Sequence, residues 1–413
     1  MVEKYFLIFK TKDKQNSQGI YGLITKHEKR TTNILKKNNS LIWLIICAVL
    51  CFQWYIVKFL KLDINLFINA FLPGICIIAS AFILSWAADL SQFYIPQSLA
   101  MVFLALIAVI PEYAVDMYFA WTAGKNPEYI SYAAANMTGG NRLLVGLGWS
   151  LLIIIYWLKT KKNTIVLDKT HNIEINTLLI ATIYSFIIPL KSNLNLIDTF
   201  VLLSIFVLYI IKISKLGIKE PELEYSPVEI ISKFPHLLRG LITLFMFVFA
   251  GYSIYISAEP FSESLLNIGR TTGIDKFILV QWIAPLSSEA PELIVAFIYA
   301  LKLQSQLGLR VVISSKINQW TLLIGMLALI YNISSGKIIL MQLDTRQIEE
   351  ILLTSSQSLF ALLLIKNLKF SLLEGCILFV LFITQLFFPS TMFRFIYSGL
   401  YLMLSGYILL KKH

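Results

Sequence analysis

Charge is scarce in this sequence. Asp, Glu, Lys and Arg make up 14% of its 413 residues, while hydrophobic residues make up 57%. An average soluble chain carries about 25% charged residues, so an ordinary water-soluble architecture is excluded. Histidine is scarce as well. His27, His171, His236 and His413 all lie outside the apolar runs, which argues against a histidine-held metal. Cys47, Cys51, Cys76 and Cys376 all sit in apolar stretches, with neither metal-ligand spacing nor a disulfide framework. The chain has no nucleophile elbow, P-loop, His-Glu-x-x-His or glycine-rich phosphate cradle, so it does not read as an enzyme. No soluble stretch is large enough to hold a nucleotide, which argues against an ATP-driven pump.

What is present is a series of long apolar runs. With ~20 residues per crossing, the expected fold is an all-α polytopic membrane protein of about twelve spans. These fall near 41–60, 66–87, 95–122, 130–157, 175–190, 196–213, 237–258, 276–302, 308–331, 350–366, 369–388 and 391–410. Residues 1–40 hold nine Lys/Arg against three Asp/Glu and lack a cleavage site, so they read as a cytoplasmic basic segment rather than a signal peptide. With the N-terminus inside, 23 bases fall on the inner side and 9 on the outer side. That asymmetry predicts cytoplasmic termini, and the absence of a presequence fits a bacterial inner membrane. The net charge of +11 therefore reflects topology, and no nucleic-acid partner is expected. The expected partners are the lipid bilayer and inorganic cations.

The charged connection 214–236 divides the chain into a first half, 41–213, and a second half, 237–413. The halves repeat. PEYAVDMYFAW answers PELIVAFIYAL, NTIVLDKTHNIEINTLL answers GKIILMQLDTRQIEEILL, and NLIDTFVLLSIF answers SLLEGCILFVLF. Five spans in each half make the second copy inverted, with spans 41–60 and 391–410 left over at the two ends. Pro111-Glu112 and Pro291-Glu292 lie 180 positions apart in matching spans. A carboxylate at bilayer depth is expensive and usually functional. Two in equivalent halves suggest one cation site between the repeats. Each proline removes a backbone donor and so frees a carbonyl oxygen nearby.

These residues resemble the cation/calcium exchanger superfamily, which includes the sodium/calcium exchangers. That family carries two inverted α-repeats, each with a Pro-Glu helix followed by a helix bearing Gly, Asn and Ser. Here the repeats fall at about 95–157 and 276–331, and the second helices carry Ala135–Asn141 and Val311–Asn318. The resemblance implies two five-helix halves packed as an inverted pair around an ion site. Its main ligands would be Glu112 and Glu292. Asn318 and Ser314, spaced to share one helix face, would join them. Asn136, Asn141 and Ser288 would supply further polar atoms, with Gly140 allowing close helix approach. The activity implied is secondary-active antiport of Ca2+ for Na+ or H+, with no cofactor beyond the transported ions.

The sequence also departs from the family. Ala108-Val109-Ile110 lacks the hydroxyls that usually precede the first Pro-Glu, and Leu144 stands where sodium/calcium exchangers carry a further Asn. Ser288-Glu289-Ala290 keeps one hydroxyl and adds a carboxylate. Asp116 lies one helical turn beyond Glu112, ~6 Å along the axis. Glu289 lies three residues before Glu292. Both therefore join the candidate ligands. Arg142 and Lys316 follow the polar motifs. Two roles stand side by side for them: tethered counter-charges to the carboxylates, or snorkelling side chains that position their helices. Proton coupling, a monovalent-cation pathway, and a non-transporting sensor or scaffold of the same fold remain as alternatives.

Overall fold

In a bilayer every backbone N–H and C=O must be satisfied within the protein, and the apolar runs meet that demand as helices. The computed structural model describes residues 41–94, 110–216, 227–388 and 390–411. Among the described residues the main helices are α1 (Leu41–Phe59), α2 (Leu66–Ser91), α3 (Ile110–Ala123), α4 (Tyr129–Thr160), α5 (His171–Lys191, broken at Phe186) and α6 (Leu196–Leu216). They continue with α7 (His236–Thr272), α8 (Lys276–Leu301), α9 (Ser305–Ser335), α10 (Thr345–Ile365), α11 (Leu372–Leu386) and α12 (Thr391–Lys411). Among the described residues ten helices are long and apolar enough to cross a membrane alone; α11 is shorter, and α3 is described only from Ile110. The basic segment 1–40, residues 95–109 of the third expected span and most of the connection 214–236 lie outside the described residues.

Capping chemistry fixes many of the ends. Asn65 and Asp275 each accept a hydrogen bond from the backbone two residues on, opening α2 and α8. Asp344 with Gln347, and Ser371 with Glu374, form capping boxes on α10 and α11. Gly273 and Gly336 close α7 and α9 at φ 74° and 65°, where a side chain would be strained. The seventh span runs well past its expected end at residue 258. Its extension, EPFSESLLNIGRTT, is too polar to register as a span. Even so, Phe261, Leu265, Leu266 and Ile268 are buried, and Glu263 accepts hydrogen bonds from Tyr118 and Tyr129. Residues 369–371, expected to open a span, instead form a strand, because they pair with another connection.

Four short strands reveal the symmetry. β1 (Thr164–Val166) follows α4, β2 (Asn193–Leu194) follows α5, β3 (Met341–Gln342) follows α9 and β4 (Lys369–Ser371) follows α10. β1 pairs with β4 and β2 with β3, both antiparallel. The connection after the third helix of one half thus meets the connection after the fourth helix of the other. Parallel copies would place those connections at opposite ends of the bundle, so the pairing requires inversion. It also defines two ends, a β1/β4 end and a β2/β3 end.

The helices that carry the polar motifs are broken at matching places. A π-helical turn interrupts α4 at Leu144–Trp149 and α9 at Gln319–Leu323, each just after its polar motif. Such turns misalign the backbone ladder locally and often mark functional positions. Close packing of α4 on α8 depends on Gly139, where a Cβ would fall 1.7 Å from the Gln281 carbonyl oxygen. Most buried apolar side chains of α3–α6 and α8–α12 form one core, and α1 with α2 and part of α7 forms a second.

Candidate cation site between the repeats

The site is assembled where α3 and α8, the Pro-Glu helices, meet α4 and α9. Glu112 and Asp116 on α3 are both buried, at 3% and 1% exposure. Ser288 and Glu289 on α8 are buried too, whereas Glu292 is half-buried. A small cavity of about 10 Å³ lies among them, with Glu112, Asp116, Asn136, Asn141, Ser288 and Glu289 in its lining. That volume is near the minimum for a single water. It suits an ion rather than an organic solute. Glu292 is not part of the lining, but Glu112 lies within electrostatic reach of Glu289, Glu292 and Asp116.

The polar atoms are arranged unevenly. Asn136 donates its amide to Asp116 at 2.9 Å, and its own Oδ1 is buried without a hydrogen bond among the described residues. Glu112 Oε2 is buried in the same condition. Ser315 donates to Glu289 at 3.5 Å, and Ser288 reaches the Ala284 and Pro285 carbonyls at 3.4 Å. Pro291 and Pro285 lack N–H groups, so the carbonyls of Ser287 and Gln281 lose their usual helical donors. Among the described residues no three Asp, Glu, His or Cys side chains already form a metal cage. A bound cation here would draw on amide, hydroxyl and backbone oxygens together with carboxylates.

Ser314 and Asn318 are not part of the cavity lining. Ser314 Oγ is 3.3 Å from the Tyr209 hydroxyl of α6, and Asn318 Oδ1 is buried without a hydrogen bond among the described residues. Gln319 does line the cavity, and neither its Oε1 nor its Nε2 is hydrogen-bonded among the described residues. Its only signal in the sequence was its place directly after Asn318. Asn141 lines the cavity, yet both its backbone oxygen and its Oδ1 accept from Lys316, at 3.1 and 3.2 Å.

The snorkelling reading of the two bases is overturned. Arg142 is 3% exposed and Lys316 is fully buried, so neither reaches an interface. Their surroundings differ. Lys316 lies within electrostatic reach of Glu289 and sits over the Trp320 ring at 5.1 Å. Arg142 turns away from the cavity to Glu350, at 2.6 Å. Arg394 of α12 binds both Glu350 and Glu349, at 2.8 and 3.0 Å. The only hint of this pairing in the sequence is the adjacent acids Glu349-Glu350 at the start of a span. A second network lies toward the β1/β4 end. There Arg310 of α9 meets Glu174 at 3.3 Å, Asp168 at 3.5 Å and Thr170 at 2.5 Å. Asp168, in the connection before α5, is pushed up by partial burial. Hydrogen bonds from Thr170, then the His171 and Arg310 charges, outweigh that and hold its carboxyl below the usual range.

An inverted pair of helical repeats, with buried carboxylates where their broken helices cross, defines the class of secondary transporters with a midplane ion site. The chain belongs to the sodium/calcium exchanger protein family, whose model matches residues 65–214 and again 242–391. Among solved structures it is similar to the H+/Ca2+ exchanger CAX, at 42% identity over 91% of this chain and 95% of that one, with a TM-score of 0.87. The sodium-calcium exchanger NCX_Mj, in a Na+- and Sr2+-soaked state, shares the fold at 19% identity over 78% of this chain and 97% of that one, with a TM-score of 0.52. No curated protein sequence matches the chain. The protein is thus an integral membrane protein of an exchanger family.

Proposed function

We propose that the protein is a secondary-active antiporter that exchanges Ca2+ for H+. The carrying observation is the cluster of Glu112, Asp116 and Glu289 around an ion-sized cavity, with Glu292 within electrostatic reach of Glu112, whose Oε2 has no hydrogen bond among the described residues. Glu112 and Glu292 are the main ligands in this reading, with Asp116, Glu289, Asn136 and Ser288 around them. Asn141 lines the cavity but gives its oxygens to Lys316, and Ser314 and Asn318 would contribute if their helix rotates during transport. A hard divalent cation favours such an oxygen-rich set.

Two features favour protons over sodium as the counter-ion. The first repeat lacks the hydroxyls at 108–110, and two extra carboxylates have been added. The similarity to the H+/Ca2+ exchanger CAX, at 42% identity, points the same way. Chemically the exchange is direct. With the carboxylates ionised, the site offers the negative charge that a divalent cation needs. With protons on them, the empty site is closer to neutral and crosses the low-dielectric interior at lower cost. Alternation would come from one group of helices rocking against the other. We place both termini on the cytoplasmic side, in a bacterial inner membrane, from the asymmetry of Lys and Arg between connections. The connection 214–236 would then be a cytoplasmic linker between the halves 41–213 and 237–413.

The test is 45Ca2+ flux in proteoliposomes under an imposed proton gradient and, separately, a sodium gradient. Uptake should follow the proton gradient and vanish in Glu112→Gln and Glu292→Gln. Flux driven only by sodium would overturn the proton assignment, and no flux under either gradient would overturn antiport itself.

A further inference from the structure

Lys316 is unusual among the charges of the site. A fully buried ammonium is expensive unless oxygens replace its water. Here two do, Asn141 O at 3.1 Å and Asn141 Oδ1 at 3.2 Å, while the Glu289 carboxylate acts on the ammonium through its charge. The Trp320 ring lies on a further side, at 5.1 Å. A backbone carbonyl and an amide oxygen in direct contact with one positive charge, with a carboxylate acting on it from further off, form the kind of oxygen-lined position that also suits a small monovalent cation. The contact spans the repeats, with Asn141 on α4 and the ammonium on α9.

We propose that the Lys316 ammonium is a resident cation, filling a position beside the transported ion and thereby keeping monovalent cations out of the site. This inference rests on the cation-antiport reading above and refines it. The position is occupied by covalent attachment, so it neither fills nor empties with the transport cycle. Its charge offsets one carboxylate of the cluster. Asn141 is thereby spent on the lysine and withheld from the transported ion. Removing the ammonium should therefore do more than loosen the contact between α4 and α9. It should leave an oxygen-lined position with a net negative charge, which a monovalent cation can enter.

The experiment uses the purified full-length chain, with 22Na+ binding by scintillation proximity and thermal unfolding in NaCl against choline chloride. Wild type and Lys316→Arg should show no saturable 22Na+ binding and the same unfolding midpoint in both salts. Lys316→Ala should gain saturable 22Na+ binding, and its midpoint should be raised by NaCl but not by choline. Adding Glu289→Gln should remove both gains. The proposal is overturned if folded Lys316→Ala binds no 22Na+ and is indifferent to the salt, as a purely structural lysine would make it. It is equally overturned if Lys316→Ala fails to fold in both salts, because a cation position would be restored by NaCl. 45Ca2+ binding to wild type is measured in parallel. Its failure would count against the calcium reading, whereas a sodium gain in Lys316→Ala would still stand.

Discussion

The two repeats carry the same Pro-Glu pair but add their second acid on opposite sides of it. Asp116 follows Glu112 by four residues, whereas Glu289 precedes Glu292 by three. In parallel copies the added acids would diverge. Here α3 runs toward the β2/β3 end and α8 runs away from it, so both added acids fall on the β2/β3 side of the main pair. The cavity follows them: Asp116 and Glu289 line it, and Glu292 does not. The site is therefore symmetric in its main glutamates and lopsided in its added ones. Lys316 strengthens the bias, because its ammonium lies within electrostatic reach of Glu289.

That contrast is broken most severely by neutralising the shared pair. Glu112→Gln or Glu292→Gln should lower calcium-dependent flux by about 100-fold or more, as expected when one member of a buried, mutually dependent charge set is lost. Equal losses in the two variants would show that the main glutamates act as one unit; a loss confined to Glu112 would make the half-buried Glu292 dispensable.

The next largest effect concerns the ion networks at the two ends. Glu350 holds both Arg142 and Arg394, and all three side chains are less than 10% exposed. Glu350→Gln should destabilise the protein by about 3 kcal/mol, because it strands buried guanidinium charge. Asp168→Asn should cost less, since Asp168 pairs with Arg310 from a side chain that is 54% exposed and can turn to water. Thermal unfolding of both variants in one detergent would check the order, and the reverse order would refute the link between burial and cost.

Much of this was legible in the sequence. The Pro-Glu pairs, their spacing and the repeated connections announced an inverted repeat, because two such pairs in register with matched connections are rare among apolar helices. The direction each side chain takes was not legible. Ser314 and Asn318 do share a spacing of four, yet spacing fixes only a face of α9, not which neighbour that face meets. Tyr209 of α6 proves to be the partner of Ser314. The pairing of Arg394 with Glu349 and Glu350 depends on how α12 packs on α10, which lies outside the repeat and has no counterpart to read it from. The length of α7 was missed because Glu263 looks like a helix end until Tyr118 and Tyr129 are seen to hydrogen-bond to it.

A milder change sharpens the comparison of the added acids. Asp116→Asn keeps a polar partner for Asn136 and removes one charge without stranding a base. It should weaken calcium affinity by about tenfold, or 1.4 kcal/mol. Glu289→Gln should cost more, because it deprives Lys316 of its carboxylate. Calcium titrations of flux in the two variants would separate them. Identical losses would mean that Lys316 does not distinguish the two acids.

The smallest effect lies at the surface of the β2/β3 end, where Glu128 meets Lys276 at 3.1 Å and accepts from the Tyr132 hydroxyl at 2.6 Å. Tyr132 first, and Lys276 after it, hold the Glu128 carboxyl below the usual range. A depressed carboxylate stabilises the fold above its unfolded pKa, and that contribution is lost as the pH falls through the folded value. Glu128→Gln should therefore lower the unfolding midpoint at neutral pH and leave it unchanged well below pH ~4, where wild type is protonated as well. An exposed pair of this kind contributes about 0.5 kcal/mol, so the shift should be small and should shrink further in high salt. A shift that grows on acidification would show that Glu128 is strained in its ionised form, and that the contact between α4 and α8 at this end is held by packing alone.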